Sequence, residues 1–537
     1  MRRRSFIGGL GTAALTSACE REPAPPAVAF VGQSPERGHA IRDGALKVDT
    51  VHERMRVPIL VVGGGVAGAA ACWRLARAGH RDTMLLELEP EVGGTARGGS
   101  TTRSAYPMGA HYLPSPHRSF AALHLLLDDL GLVLGRDGEG DPDFDPTAIC
   151  RAPVERHRDR GLWSEGVYPA TGQTPDEEAQ WQRWMAHLRA LDDRRGRDGR
   201  RLFDLPVDLS STDLRHLDAI SIARYLDDLH LDSWRLRWTV DYACRDDYGC
   251  TLEQTSAFAA LHHFLARGLE DVHDRVLLVW PEGNAKLVHD MLARTHVHAR
   301  HDYAVVRIDP DTGVALAYDL ANDRVLAVEA QVILWAAPRF LLRHVLPNDP
   351  LPRDALTYAP WLTASVELDR RPAGVGAPLA WDNVSIDAQH LGYVVATHGE
   401  PLSSTTPGSV ITFYEPLPAD DNAALAQRRT ELLTGTAEHW GAHVTTALDA
   451  MHPGLARSIR RIDIARWGHG MIRPVPGLLF SDALALAAAP IGRVIPCAAD
   501  VGGLPLFEQA FCQGVRAAEH ALSRLGTPVD TIVRSHA

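Results

Sequence analysis

Residues 57–99 read VPILVVGGGVAGAAACWRLARAGHRDTMLLELEPEVGGTARGG, and the order of apolar runs and glycines within them decides the fold. An apolar stretch runs into Gly63, Gly64 and Gly65, a small-residue segment follows, and a second apolar run ends at Glu87. Gly63, Gly65 and Gly68 have the G-x-G-x-x-G spacing. In such a turn the first glycine permits the tight bend, the second lets a pyrophosphate reach the backbone, and the third lets helix and strand pack closely. The helix N-terminus then directs free N–H groups and a positive dipole end at the phosphates. Glu87 closes the strand TMLLEL, where its carboxylate can accept hydrogen bonds from both ribose hydroxyls. A glycine-rich turn by itself fits any strand-to-helix connection. Strand, turn, helix, second strand and terminal acid in this order predict a βαβ unit that holds a dinucleotide.

Gly93, Gly94 and Arg97 follow at a short interval. With them the chain resembles the FAD-containing amine oxidase and phytoene desaturase superfamily, in which a Gly-Gly-x-x-Arg segment lies against the pyrophosphate and flavin side of FAD. The resemblance extends through PMGAHYLP (107–114), VWPEGNAKLVHDML (279–292), HDYAVVRIDPDTG (301–313) and VILWAAPRFLL (332–342). It implies that the backbone at Val306 meets the adenine and that small residues near Ala336 and Ala337 lie under the cofactor. The block CAADVGGLPLFEQAFCQGVRAAEHAL (497–522) resembles the closing motif of the same superfamily. Asp500 is then expected to bond the ribityl or phosphate side. Glu508 and Ala510 open a helix whose N-terminus faces the flavin and favours the negative charge of its reduced form.

At 537 residues with 45% hydrophobic and 23% charged residues, the chain is long enough for two or more globular domains. The expected fold class is α/β, with a discontinuous Rossmann-like FAD-binding domain plus a substrate domain of helices and an antiparallel sheet. The first would be assembled from 55–115, 273–345 and 456–527. The second would come from 116–272, which is helical in periodicity as in FAALHLLLDDLGLVL, and from 346–455, where TASVELDRR, LGYVVATHG and SVITFYEPL read as strands. Polar stretches at 136–147 and 194–200 read as loops.

Residues 1–19, MRRRSFIGGLGTAALTSAC, combine a basic start, a short apolar run and a small-residue exit, the pattern of a signal peptide. Arg3-Arg4-Ser5-Phe6-Ile7 resembles a twin-arginine export signal, which implies a periplasmic or extracytoplasmic protein carried folded by the twin-arginine translocase. Cys19 is a loose match to a lipid-anchor site, and lipidation is left open. Residues 20–54, beginning with EREPAPPAVA, read as a Pro-rich linker. Cys244 and Cys250 are close enough in sequence to pair, although folding before export removes the usual oxidative route. No histidine or cysteine spacing suggests zinc, and Cys497 reads as a packed small residue with covalent flavin attachment as the alternative.

A formal net charge of −12 argues against nucleic acid as a partner and favours cationic ligands by electrostatic steering. Lys47 and Lys286 are the chain's lysines. Many amine oxidases of the superfamily place a lysine beside flavin N5 downstream of the small-residue turn, and a tyrosine where Leu506 stands here. Both departures weigh against standard amine oxidation while leaving the FAD site intact. Candidates to face the flavin are His111 and Tyr112 after the GAHY turn, Tyr414 in the second domain's sheet, and Trp467 and His469 in RWGHG. His111, Trp467 and His469 are the catalytic candidates: Trp467 as a cavity wall, His469 as a base or anion holder. Three functions remain open. The leading one is a flavoenzyme that takes a hydride from an amine or related small molecule, with oxygen or a quinone as electron acceptor. The others are a desaturase or dehydrogenase of an apolar substrate that passes electrons to a quinone or other acceptor, and a FAD-stabilised binding protein without turnover.

Overall fold

The computed structural model describes residues 25–138, 140–269, 276–399 and 408–533. The signal-like stretch 1–19, with Cys19, lies outside the described residues.

Two sheets organise the fold, and the class is the expected α/β. The first has seven strands. Its parallel core runs His298–Arg300, Thr83–Leu86, Glu53–Val62, Arg324–Trp335, with Val494–Pro496 beside the last, and an antiparallel extension adds Val314–Asp319 and Tyr303–Asp309. Thr83–Leu86 is buried along its whole length, as are Ile59–Val62 and Val332–Trp335. Near-continuous apolar runs of this kind are what a parallel strand needs when both faces are covered.

One covering layer is the helix Val66–Arg77, buried from Ala67 to Leu75. The C-terminal helix Phe507–Arg524 packs on it with Gly514, Ala517, Ala518 and Ala521 buried, and the small residues let the two backbones approach. A Cβ on Gly514 would lie 2.1 Å from the Ala67 carbonyl oxygen. Residues more than 400 positions apart thus close one layer.

The second sheet has nine strands in the order Ala27–Phe30, Ile459–Ile472, Tyr358–Leu368, Ser409–Pro416, Gly392–Val395, Asp382–Ser385, Glu155–Asp159, Leu162–Glu165, Val375–Gly376. Its centre consists of the runs expected from 346–455, and five of its eight pairings are antiparallel. Its ends correct the sequence reading. Ala27–Phe30 pairs in parallel with Ile459–Ile472, so the expected linker 20–54 contains a strand, followed by the helix Pro35–Arg42. The run AVAF is too short to stand out beside the prolines before it. Residues 459–472 belong to this sheet and not to the first, and the mainly helical segment 116–272 contributes 155–159 and 162–165. The expected loop 136–147 contains the strand Pro142–Phe144, paired with Val133–Arg136.

The segment after Phe30 ties the two sheets together. Val31 N–H donates to Ile464 O at 2.9 Å, Ser34 N–H to Glu89 Oε1 at 2.8 Å, and Arg37 Nη1 to Leu88 O and Asp302 Oδ1, each at 2.6 Å.

The helices of 116–272 include Pro175–Asp192, with a capping box between Thr174 and Glu177, and Trp234–Tyr248, closed by Gly249 at φ 62°. The latter packs against Ala257–Leu265. Among the described residues no helix is long and apolar enough to cross a membrane, and Cys72, Cys150, Cys244, Cys250, Cys497 and Cys512 are buried and unpaired.

In an exposed helix interior, Gly→Ala gains about 1 kcal/mol. At Gly514 the added methyl meets backbone, so Gly514→Ala is expected instead to lose about 1–3 kcal/mol by overpacking. Urea denaturation checks the sign, and a stabilised variant would refute the close helix contact.

Candidate active site

The glycines of the opening stretch form a cradle made of backbone. Gly63 has φ 103°, and a Cβ there would sit 2.9 Å from Ala337 N, so the small-residue turn at 336–338 packs directly on it. A Cβ on Gly68 would fall 2.0 Å from Gly63 O. Gly65 bridges Gly93, the Gly93 N–H donates to Gly64 O at 2.9 Å, and Gly93 and Gly94 both have positive φ. Glu87 is buried with Oε2 accepting from Gly64 N–H at 2.6 Å and Oε1 from Glu89 N–H at 2.9 Å. Each oxygen keeps a second lone pair, enough for ribose hydroxyls. Val306 is the extra residue of a β-bulge between Val305 and Arg307, which takes its backbone out of the ladder. The neighbouring Tyr303 N–H reaches Glu87 O at 2.9 Å, which brings this strand to the acid's end of the cradle.

Asp500 lies at the same edge. Its Oδ2 accepts from Arg339 N–H at 2.6 Å and from the Tyr358 hydroxyl at 2.8 Å, while Oδ1 is buried without a partner among the described residues. Burial raises its pKa above the usual carboxylate range. Arg97 donates to Glu91 O at 2.7 Å and leaves Nε buried and unpartnered, and Asn284 donates to Tyr112 O at 2.9 Å and leaves Oδ1 likewise. Buried polar atoms are normally satisfied. An orphan guanidinium donor for a phosphate and orphan acceptors for hydroxyls, around a backbone-lined groove, fit a dinucleotide such as FAD.

Next to the cradle is a cavity of about 150 Å³. Thr95 and Gly109 to Tyr112 line it on the cradle side, and Leu506, Phe507 and Glu508 bring the start of the last helix to it. Trp361, Thr363, Tyr414, Trp467 and Met471 come from the nine-stranded sheet, and Asp246, Asp247 and Arg267 from the helical segment. Of the expected residues, His111, Tyr112, Tyr414, Trp467 and Glu508 therefore meet in one place. Ala510 is buried one turn into the helix and does not line the cavity.

His111 Nδ1 is 3.0 Å from Gly109 O and so carries the proton, leaving Nε2 as the ring acceptor. Burial pushes its pKa down to about 4, so the ring is neutral near pH 7. Trp467 Nε1 donates to Met108 O at 2.9 Å and Thr363 Oγ1 at 3.2 Å, which fixes the indole as a wall. Glu508 is held by Arg267 Nε at 2.8 Å.

His469 is not in the cavity. Five residues from Trp467 to Met471 span the ladder opposite three, Ala359 to Trp361, and this bulge breaks the strand's alternation of faces. The imidazole stacks instead on Phe340 at 4.5 Å between ring centres, with Tyr358 at 6.0 Å, and burial lowers its pKa to about 3. It can act neither as base nor as anion holder for a ligand in the cavity. Cys497 is buried and outside the lining, consistent with a packing role.

Sequence reasoning missed Asp246, Asp247, Arg267, Trp361 and the carboxyl behind Tyr414. Asp382 Oδ1 accepts from the Tyr414 hydroxyl at 2.9 Å and Oδ2 from Tyr242 at 3.0 Å, and burial raises its pKa to about 6. An Asp-Asp pair near a helix end reads as solvated surface until the fold places it. Lys286 pairs with Asp290 at 2.8 Å and is not part of the cavity.

Asp382 generates a pH prediction. Its folded pKa exceeds the unfolded value, so the native state loses stability as pH rises from about 4 through about 6. The stability difference between Asp382→Asn and wild type is expected to grow in the variant's favour by about 2–3 kcal/mol between pH 4 and pH 8. Denaturation at the two pH values measures it, and a pH-independent difference would show that Asp382 titrates normally.

Residues 61–130 match the family model described as an NAD(P)-binding Rossmann-like domain. No curated protein matches the chain in sequence. Among solved structures, putrescine oxidase bound to putrescine is similar with a TM-score of 0.62 at 16% identity, over 88% of this chain and 100% of that one. Cyclohexylamine oxidase from Brevibacterium oxydans IH-35A gives 0.60 at 14% identity over 88% and 99%. A CLA-producing fatty acid isomerase from P. acnes gives 0.60 at 14% identity over 86% and 97%. At these identities the likeness establishes a shared fold.

Proposed function

We propose that this chain is an exported FAD-dependent oxidoreductase that takes a hydride from a small cationic amine. The observation that carries the reading is the shared cavity: the cradle side and the start of the last helix meet an aromatic wall, Trp361, Trp467 and Tyr414, and the carboxyls of Asp246 and Asp247. Aromatic walls and acids with no lysine suit an alkylammonium ion. The fold shared with a putrescine oxidase and a cyclohexylamine oxidase supports the same class. The basic and apolar pattern of residues 1–19 supports export by the twin-arginine translocase, a route that accepts a protein already folded around its cofactor.

Gly63, Gly65, Glu87, Arg97 and Asp500 would hold FAD, which when bound supplies the hydride acceptor. The chain's own groups do the rest. The first amides of Phe507–Arg524 present a positive dipole end toward the cavity. Trp467, locked by its two hydrogen bonds, limits the poses open to a substrate. The neutral His111 adds no positive charge that would repel a cation. Arg267 is already paired with Glu508, which leaves the entering ammonium to the remaining acids.

The deciding experiment is an anaerobic titration of the purified protein with amines, amino acids and polyamines, followed by flavin absorbance. Bleaching by amines, with colour restored by air, is expected. A second reading, a dehydrogenase of an apolar substrate with a quinone acceptor, draws on the apolar lining and on the fold shared with the fatty acid isomerase. It predicts a coloured protein that no amine bleaches.

Gly65→Val separates cofactor binding from folding. A Cβ at 65 has 3.7 Å to its nearest neighbour, Gly94 Cα, so the fold accommodates the start of a side chain that fills the groove. The variant is expected to keep its circular dichroism and lose its flavin, and a fully loaded variant would move the phosphates elsewhere.

A further inference from the structure

Asp246 and Asp247 are adjacent, both line the cavity, and are treated differently by the fold. Asp247 Oδ2 is 2.5 Å from His263 Nδ1 and 3.9 Å from Arg267 Nη1. Burial alone would raise its pKa, but these two partners outweigh burial and lower it, so Asp247 stays ionised. Asp246 makes no hydrogen bond or ion pair among the described residues and is partly buried, lining the cavity. Arg245, next in sequence, is engaged with Asp241 at 2.6 Å and Gln389 O at 2.9 Å. Burial therefore drives the Asp246 pKa well above the carboxylate range, reinforced by the charges of Asp247, Asp382 and Glu155 and opposed weakly by Arg245. Its place in the last turn of Trp234–Tyr248, at the negative end of the helix dipole, acts in the same direction.

We propose that Asp246 exchanges protons with an alkylammonium ion in this cavity, shedding its own proton as the ion enters and then taking an ammonium proton in its place, so that a neutral amine is left beside the cofactor. The proposal rests on the amine reading above. In the first step the Asp246 O–H bond breaks and its proton goes to solvent. In the second an ammonium N–H bond breaks and an O–H bond forms on Asp246. No electron moves in either step. The cavity holds a neutral carboxyl before and a neutral carboxyl with a neutral amine after, so no net charge is buried, which is what a poorly solvated site favours. An amine with its lone pair free can release hydride; an ammonium ion cannot.

The other groups facing the site do not release a proton near pH 7. His111 is already neutral, Tyr112 and Tyr414 have pKa values raised well above 10, and Arg267 and Glu508 are paired. Asp382, near 6, is the competitor, and Asp382→Asn removes it.

The test uses the FAD-loaded protein and tert-butylammonium, which has no hydrogen on its α-carbon and cannot be oxidised. Calorimetry at pH 7 in two buffers of different ionisation enthalpy counts the protons released. One proton per bound ligand is expected, with affinity weakening tenfold per pH unit on acidification, in the Asp382→Asn background as well. Asp246→Asn should release none and bind independently of pH, and Asp246→Glu should restore the release. Equal release by Asp246→Asn and wild type, or binding by wild type without release, overturns the role of Asp246 while leaving the amine reading standing. Absence of any binding to wild type overturns both. Wild-type affinity that does not change with pH overturns the role of Asp246 even if Asp246→Asn does not fold.

Discussion

Backbone-to-backbone contact under the cradle is the constraint on which the rest depends. Gly63 lies against the turn at Ala336 and Ala337, Gly68 against the Gly63 carbonyl, and Gly514 against the Ala67 carbonyl. In each case a side chain would occupy space already held by main chain, which rotamer changes cannot relieve. The consequence reaches beyond the nucleotide. Once Gly514 seats the last helix on Val66–Arg77, the start of that helix is set at the cavity, and Leu506, Phe507 and Glu508 arrive opposite Thr95 and Gly109. A contact between two layers thereby places the cofactor groove and the cavity side by side.

This constraint also explains what was legible in the sequence. Glycines required by close approach leave a spacing that survives without any knowledge of the fold, so Gly63, Gly65, Gly68, Gly93 and Gly94 could be read directly. His111 could be placed because it follows Gly109, where a Cβ would fall 2.2 Å from Thr95 O, and Trp467 through the resemblance of RWGHG. His469 could not, because the two residues gained between Trp467 and Met471 have no signature beyond Gly468 and Gly470, and glycines are common. Asp246 was invisible for a different reason. Its property is the absence of a partner, and absence is created by tertiary structure: Arg245 turns to Asp241, and His263 arrives from another helix to serve Asp247.

The strand Ala27–Phe30 belongs to the same class of hidden feature. Four residues after a proline-rich stretch carry no period that can be measured. They acquire a role because the edge of Ile459–Ile472 offers unpaired backbone groups, which a neighbouring segment can satisfy. The hydrogen bonds that follow, from Ser34 to Glu89 and from Arg37 to Leu88 and Asp302, then fasten that edge to the loop beside Glu87. Glu89 in turn donates its N–H to Glu87. The orientation of the expected ribose-binding acid is thus fixed partly by residues that come before the nucleotide motif begins.

The electrostatics of the cavity follow from how each acid is compensated. Asp247 is ionised because a histidine and an arginine face it, and the same arginine pairs with Glu508 at 2.8 Å. Arg267 therefore serves two acids that come from different helices, and its own pKa is raised because their charges outweigh the cost of burying it. Asp382 is relieved by two tyrosine hydroxyls and Asp246 only by the charge of Arg245, and burial raises the pKa of both. The site consequently carries less negative charge than its count of carboxyls suggests. Of its carboxyls, Asp246 is the one left without a hydrogen-bond partner among the described residues, with the cavity as its open side.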